Sequence, residues 1–207
     1  ALAPATALAL AAVFNFIGAF IGYWTGSGVA KTIQSVTTPP TGYAGLALVA
    51  AALGGAIGWN LVTWRLGLPS SSTHALIGGV VGAALVAGTI VEWGTVWEKV
   101  IIPMVTSPFV GLILAFLVMR LIVVIFRNKN PQKVGGGFRH AQSVSACAMA
   151  MGHGMQDAQK TMGVIFLLLI SMGYASASDE MPVWIVFACA GAISIGTAVG
   201  GKRIMKT

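Results

Sequence analysis

The sequence predicts an all-α fold: a polytopic membrane helix bundle with inverted-topology repeats and broken or re-entrant helical hairpins. Three observations predict it. The chain is 57% hydrophobic and only 8% charged over 207 residues, with a mean hydropathy of +0.87; soluble domains carry roughly a quarter charged residues. The charges sit in the breaks between apolar stretches, and Arg120, Asp157 and Lys160 are the exceptions. Of these, Arg120 is near enough to an end to snorkel. Finally, the pattern I-G-x-x-[IV]-G recurs at the ends of two apolar spans, at 17–22 and 195–200.

About 20 apolar residues cross a bilayer as a helix. The spans expected on that basis are 1–24, 43–64, 101–126, 143–170 and 182–201. Residues 75–90 make a shorter apolar segment fronted by polar residues, which fits a broken or re-entrant helix better than a simple span. The Gly/Ala run 54–58 permits close helix contact. Between spans, residues 127–142 read as a basic loop carrying Arg127, Lys129, Lys133 and Arg139, and the C-terminal end carries Lys202, Arg203 and Lys206. By the positive-inside rule these basic segments are cytoplasmic, and residues 175–181, with Asp179 and Glu180, lie outside. Counting back puts the 22–31 loop outside too. The net charge of +7 is therefore read as topology rather than nucleic-acid binding. The partners expected are the lipid bilayer of the cell membrane and a small solute, and a homo-oligomer is compatible with the sequence. Cys147 and Cys189 lie in different stretches and read as packed thiols.

The charge count puts the end of the first I-G-x-x-[IV]-G copy outside and the second inside, as inverted repeats would have it. Lys31-Thr32 follows the first copy and Lys206-Thr207 the second. Residues 1–126 are then most of a first repeat and 143–207 the start of a second. The offset of 178 residues would place a counterpart of His153–Lys160 about 25 residues before Ala1, and a counterpart of Ser70–His74 about 40 residues after Thr207. The chain is accordingly expected to be an interior piece of a longer transporter.

Two polar motifs interrupt the apolar background. Ser70, Ser71, Ser72, Thr73 and His74 open the short segment. One helix cap needs one hydroxyl; several hydroxyls around a half-helix N-terminus make a donor array suited to a tetrahedral oxyanion, or an oxygen set suited to Na⁺. The second motif is G-H-G-M-Q-D-A-Q-K-T-M-G, at 152–163. At helical spacing His153 faces Asp157, Gln156 faces Lys160, and Asp157 faces Lys160 and Thr161. An acid at membrane depth costs a few kcal/mol and needs a partner or a wet cavity. A helix-orienting Asp157–Lys160 pair would satisfy that need. The added His153, Gln156, Gln159 and Thr161 favour a substrate or ion site.

The stretches P-S-S-S-T-H-A-L-I-G-G (69–79) and H-G-M-Q-D-A-Q-K-T-M-G (153–163) closely resemble signatures of the inorganic phosphate transporter (PiT) family. N-F-I-G-A-F (15–20) and G-T-A-V-G-G (196–201) resemble it as well. The resemblance implies a secondary transporter moving inorganic phosphate with Na⁺ or H⁺, not an enzyme, without cofactor or resident metal beyond a transported Na⁺. It implies phosphate at Ser70, Ser71, Ser72 and Thr73, and the coupling ion at Gln156, Asp157, Gln159 and Asn15. His74, His153, Lys160 and Thr161 support them. The chain departs from the family pattern at Met155-Gln156, where Ala-Asn or Thr-Asn is usual, and lacks the family's first acidic motif and second hairpin.

Two other readings compete. A permease of the same fold for sulfate or another tetrahedral oxyanion changes only the anion. An intramembrane serine hydrolase would pair Ser72 with His153 or His74, but no G-x-S-x-G elbow is present.

Overall fold

Apolar runs without an internal breaker become helices, and glycines end them. The computed structural model describes residues 3–26 and 28–204, and among these it contains helices and no β-strand. Helix α1, Pro4–Trp24, opens on proline and closes before Gly26 at φ +117°. A short helix α2, Gly28–Gln34, turns the chain back. Helix α3, Tyr43–Leu66, ends at the left-handed Gly67, and α4, Ser72–Ala87, ends at the left-handed Gly88; left-handed glycine caps cost nothing where a side chain would strain. Helices α3 and α4 pack as an antiparallel hairpin. Its base is tied by the Thr37 hydroxyl donating to the Ile90 carbonyl at 2.8 Å and by the Glu92 amide donating to Val36 at 2.9 Å. The chain continues through α5, Trp93–Val96, a π-helical turn at Trp97–Ile101, and α6, Ile102–Phe126. Helix α7, Pro131–Ser171, and α8, Val183–Ile204, complete the bundle.

Among the described residues, three helical stretches are long and apolar enough to cross a membrane: Pro4–Trp24, Tyr43–Leu66 and Trp93–Phe126; the spans expected at 143–170 and 182–201 are helical but not among them. Ser72–Ala87 is shorter, 16 residues or about 24 Å at 1.5 Å per residue. The expected all-α membrane bundle is what forms. Its boundaries differ from expectation in three places. The span expected from 101 starts at Trp93, because a π turn carries Glu98 and Lys99 within the helix where they had read as a break. The loop expected over 127–142 is helical from Pro131: Asn130 caps it by accepting from the Gln132 amide at 2.9 Å, and Phe138 packs edge-on to Phe126. The loop expected at 22–31 contains the start of α2. Ala1, where the first span was expected to open, and Lys206-Thr207, matched to Lys31-Thr32, lie outside the described residues.

The C-terminal half of α7 is the spine of the molecule, with two faces in two cores. Val164 and Leu167 join the hairpin core of Leu48, Ala52, Leu76 and Val80. Ala158, Met162 and Phe166 join Ala19 of α1 and Ile185, Val186 and Ala190 of α8. Helices α1 and α8 run antiparallel: Phe20 stacks edge-on with Phe187, while Asn15 bonds Thr197. The two I-G-x-x-[IV]-G segments therefore point to opposite ends. Helix α6 buries no residue against the rest of the described chain. Cys189 is buried and Cys147 half-buried, both free.

In a membrane, packing rather than water exclusion holds helices together, and small residues let backbones approach. The α1–α7 crossing depends on two of them. A Cβ on Gly154 would collide with the Asn15 carbonyl oxygen, and one on Gly18 with that of Met151. Gly154→Ala should therefore lower stability by about 1–3 kcal/mol through overpacking. Gly135→Ala, in the same helix with open space around it, should not. Thermal unfolding of the purified protein in detergent checks both.

Candidate functional site

The two polar motifs meet at one place. Lys160, in the apolar part of α7, donates from Nζ to Ser72 Oγ at 2.9 Å. The same ammonium lies 2.6 Å from Asp157 Oδ1. The other carboxylate oxygen, Oδ2, is 3.1 Å from His153 Nε2. His153 Nδ1 is 3.1 Å from Asn15 Oδ1, and Asn15 Nδ2 donates to Thr197 Oγ1 at 3.0 Å. A continuous line of six side chains thus runs from α4 through α7 and α1 to α8. Helical spacing explains the His153–Asp157 and Asp157–Lys160 contacts within α7. The tertiary fold alone supplies the two ends, where the hairpin brings Ser72 against α7 and the α1–α7–α8 core brings in Asn15 and Thr197.

The hydrogen bonds in this line assign a consistent set of donors and acceptors. The Thr197 hydroxyl has one proton, and it goes to the Ile193 carbonyl at 2.8 Å, so Thr197 Oγ1 accepts from Asn15. Asn15 must then turn Oδ1 to His153, which makes Nδ1 the N–H donor. A neutral ring with its proton on Nδ1 would aim a lone pair from Nε2 at the carboxylate. The Nε2–Oδ2 contact is a hydrogen bond only when it holds a second proton, on the imidazole or on Asp157. Burial varies along the line: the side chain of His153 is 57% exposed, that of Asp157 32% and that of Lys160 13%, while Asn15 is buried and Ser72 exposed.

The remaining predicted residues are placed as follows. Ser71 is the α4 N-cap, its Oγ accepting from the His74 amide at 3.4 Å. Ser70 donates to Asn60 Oδ1 at 3.2 Å. Thr73 is half-buried in the first turn of α4, and His74 is exposed. Ser70, Ser71 and His74 line one end of a groove of about 1570 Å³ between α3 and α4, whose other walls are mostly Ala, Gly and Leu. Gln156 and Thr161 are exposed on α7. Gln159 stands apart from the line. It is buried, its Oε1 accepts from the Val29 amide at 2.9 Å and its Nε2 donates to the Gly22 carbonyl at 2.9 Å. Both ends of its amide tie the α1–α2 turn to α7, so it is spent on backbone rather than turned to Asp157. Residues two apart on a helix do not share a face, and that spacing was the available signal. Sequence reasoning missed Asn60, a lone amide in an apolar span, and the role of Thr197 as partner to Asn15. The serine–histidine pairing of a hydrolase is not assembled: Ser72 meets Lys160, and His153 faces Asp157 and Asn15.

The family model described as the phosphate transporter family matches residues 1–136 and 126–207. The chain belongs to the phosphate transporter family. Among its relatives, a probable low-affinity inorganic phosphate transporter of Bacillus subtilis is 41% identical over the whole of this chain and 62% of its own length. One of Rhizobium meliloti is 44% identical over the whole chain and 61% of its own. The low-affinity inorganic phosphate transporter PitB of Escherichia coli is 34% identical over 84% of this chain and 40% of its own. The chain thus spans about three-fifths of the first of these and less of the last. No solved structure matches it. Membership in this family, together with the long apolar helices, fits a multi-pass protein of the cell membrane.

The Thr197 end of the line yields a stability test. Thr197→Val removes the acceptor of the Asn15 amide and leaves a buried donor unpaired, which costs about 1–3 kcal/mol. Thr197→Ser keeps the hydroxyl and should restore most of it. Thermal unfolding of both variants measures the difference.

Proposed function

We propose that the full-length protein containing this chain moves inorganic phosphate across the cell membrane by secondary transport, coupled to a cation. One observation carries the reading: a single hydrogen-bonded line joins the Ser/Thr hairpin to the acidic motif, through Lys160 between Ser72 and Asp157. In this reading Ser70, Ser71, Ser72 and Thr73 form the phosphate side. The first turn of α4 offers free amide groups and the positive end of its dipole, a ready anion site. Asp157 is the cation side, with His153, Asn15 and Lys160 around it. Gln156 and Thr161 flank it on the exposed face, and His74 lines the groove beside Ser70 and Ser71. Gln159 holds the α1–α2 turn.

Of Na⁺ and H⁺, the hydrogen-bond accounting favours the proton. Both oxygens of Asp157 are engaged by nitrogen groups, and the His153 contact needs a proton to exist. The antiparallel α1 and α8, with the repeated pattern pointing to opposite ends, support an inverted repeat shared between this chain and the rest of the protein. Its basic end, at the start of α7, lies inside in this reading, and the acidic Asp179–Glu180 turn outside.

The experiment is radiolabelled phosphate uptake by the full-length protein, with pH and Na⁺ varied separately and sulfate as competitor. Asp157→Asn should reach the membrane in normal amount, since Asn keeps the shape, and lose gradient-driven accumulation, since a neutral ligand attracts a cation far less in low dielectric. Normal expression with full gradient-driven uptake would remove Asp157 from the mechanism. Uptake driven by Na⁺ and indifferent to pH would replace the proton with Na⁺, and sulfate competing as well as phosphate would change the substrate.

A further inference from the structure

Lys160 contacts both halves of the site. Its ammonium is 2.6 Å from Asp157 Oδ1 on its own helix and 2.9 Å from Ser72 Oγ across the interface, and its side chain is 13% exposed. A pair that merely orients two residues within one helix has no need to reach a neighbouring helix. This one reaches the first residue of α4, whose hydroxyl accepts from Lys160 and keeps its own proton free to donate.

We infer that Lys160 is a partner-exchange residue: it leaves Asp157 for the transported anion when a cation occupies Asp157, and so links the two binding events. The inference rests on the phosphate-transport reading above. With the pair intact, the charges of Lys160 and Asp157 cancel, and the hairpin offers an anion only hydroxyls and the helix end. A cation on Asp157 removes the counter-charge of Lys160. The ammonium then has excess positive charge beside Ser72, within reach of any oxyanion bound at the α4 N-terminus. In the reverse order, an anion that draws Lys160 away leaves Asp157 with only His153 as a partner at membrane depth, where an under-compensated carboxylate is costly, and so raises its affinity for a cation. The coupling must be reciprocal, because both orders close one thermodynamic cycle. No covalent step is involved, and Lys160 remains charged in both arrangements.

The test uses the full-length protein in proteoliposomes and in detergent, comparing wild type, Lys160→Gln and Lys160→Arg. The half-saturating phosphate concentration is measured at low and saturating cation, varying pH at fixed Na⁺ and Na⁺ at fixed pH. Phosphate speciation is the same for every variant, so its contribution cancels in the comparison. In wild type, saturating cation should tighten phosphate binding by about fivefold or more, the lower end of ordinary coupling. Lys160→Gln should bind phosphate about tenfold more weakly and respond equally at both cation levels. Lys160→Arg, which keeps charge and reach, should retain the cation response. A Lys160→Gln protein with the wild-type cation response overturns the inference. So does a Lys160→Arg protein that binds phosphate but has lost that response, and this arm stands even where Lys160→Gln fails to fold. Wild type that binds no phosphate at any cation level overturns the transport reading instead, and the exchange falls with it.

Discussion

An acid and a base three residues apart, inside an otherwise apolar stretch of helix, are what the rest of this architecture has to accommodate. An unanswered charge at membrane depth costs a few kcal/mol on insertion scales and more in apolar surroundings. Here it is answered on every side. Lys160 takes one oxygen of Asp157 and His153 the other. Asn15 and Thr197 hold the far side of the imidazole, and Ser72 receives the ammonium. Among the described residues, no buried side-chain nitrogen or oxygen lacks a hydrogen-bond partner, as expected where an orphaned polar group is most costly.

The fold explains how such a line can be held. Helix α7 packs on both sides through small residues, and the α1 backbone comes close enough to touch at Gly18 and Gly154. That closeness lets a side chain as short as Asn15 reach His153. On the other side the α3–α4 hairpin is pinned at its base by Thr37 and Val36, while its tip delivers Ser72 to Lys160. The site is therefore rigid at the α1–α7–α8 end. It is joined to the hairpin by one charged side chain, an arrangement suited to passing a change of charge from one half to the other. Among the described residues, no three of His, Cys, Asp and Glu gather as a metal site would require.

Much of this was legible in the sequence, and the limits have physical causes. Polar residues in an apolar chain announce themselves, so both motifs and the helical character of their surroundings could be read directly. Contacts within one helix follow from spacing, and the His153–Asp157–Lys160 run was readable for that reason. Spacing says nothing about which helix lies opposite. Lys160 to Ser72, 88 residues apart, and Asn15 to Thr197, 182 apart, depend on tertiary packing. Gln159 was grouped with Asp157 because an amide near an acid looks like a ligand; its angular position turns it to Gly22 and Val29, which composition does not show. The π turn at Trp97–Ile101 and the helix from Pro131 were hidden because charges inside a helix read as a break.

The central claim is that Ser72 and Lys160 act as one unit on the transported anion. A double-mutant cycle on phosphate affinity in the full-length protein, using Ser72→Ala, Lys160→Met and the pair together, tests it most directly. Residues in contact within one network show interaction energies of about 0.5–3 kcal/mol, whereas separate sites add within about 0.5. The account predicts that the double variant loses clearly less affinity than the sum of the two single losses. Losses that add within that margin would contradict it.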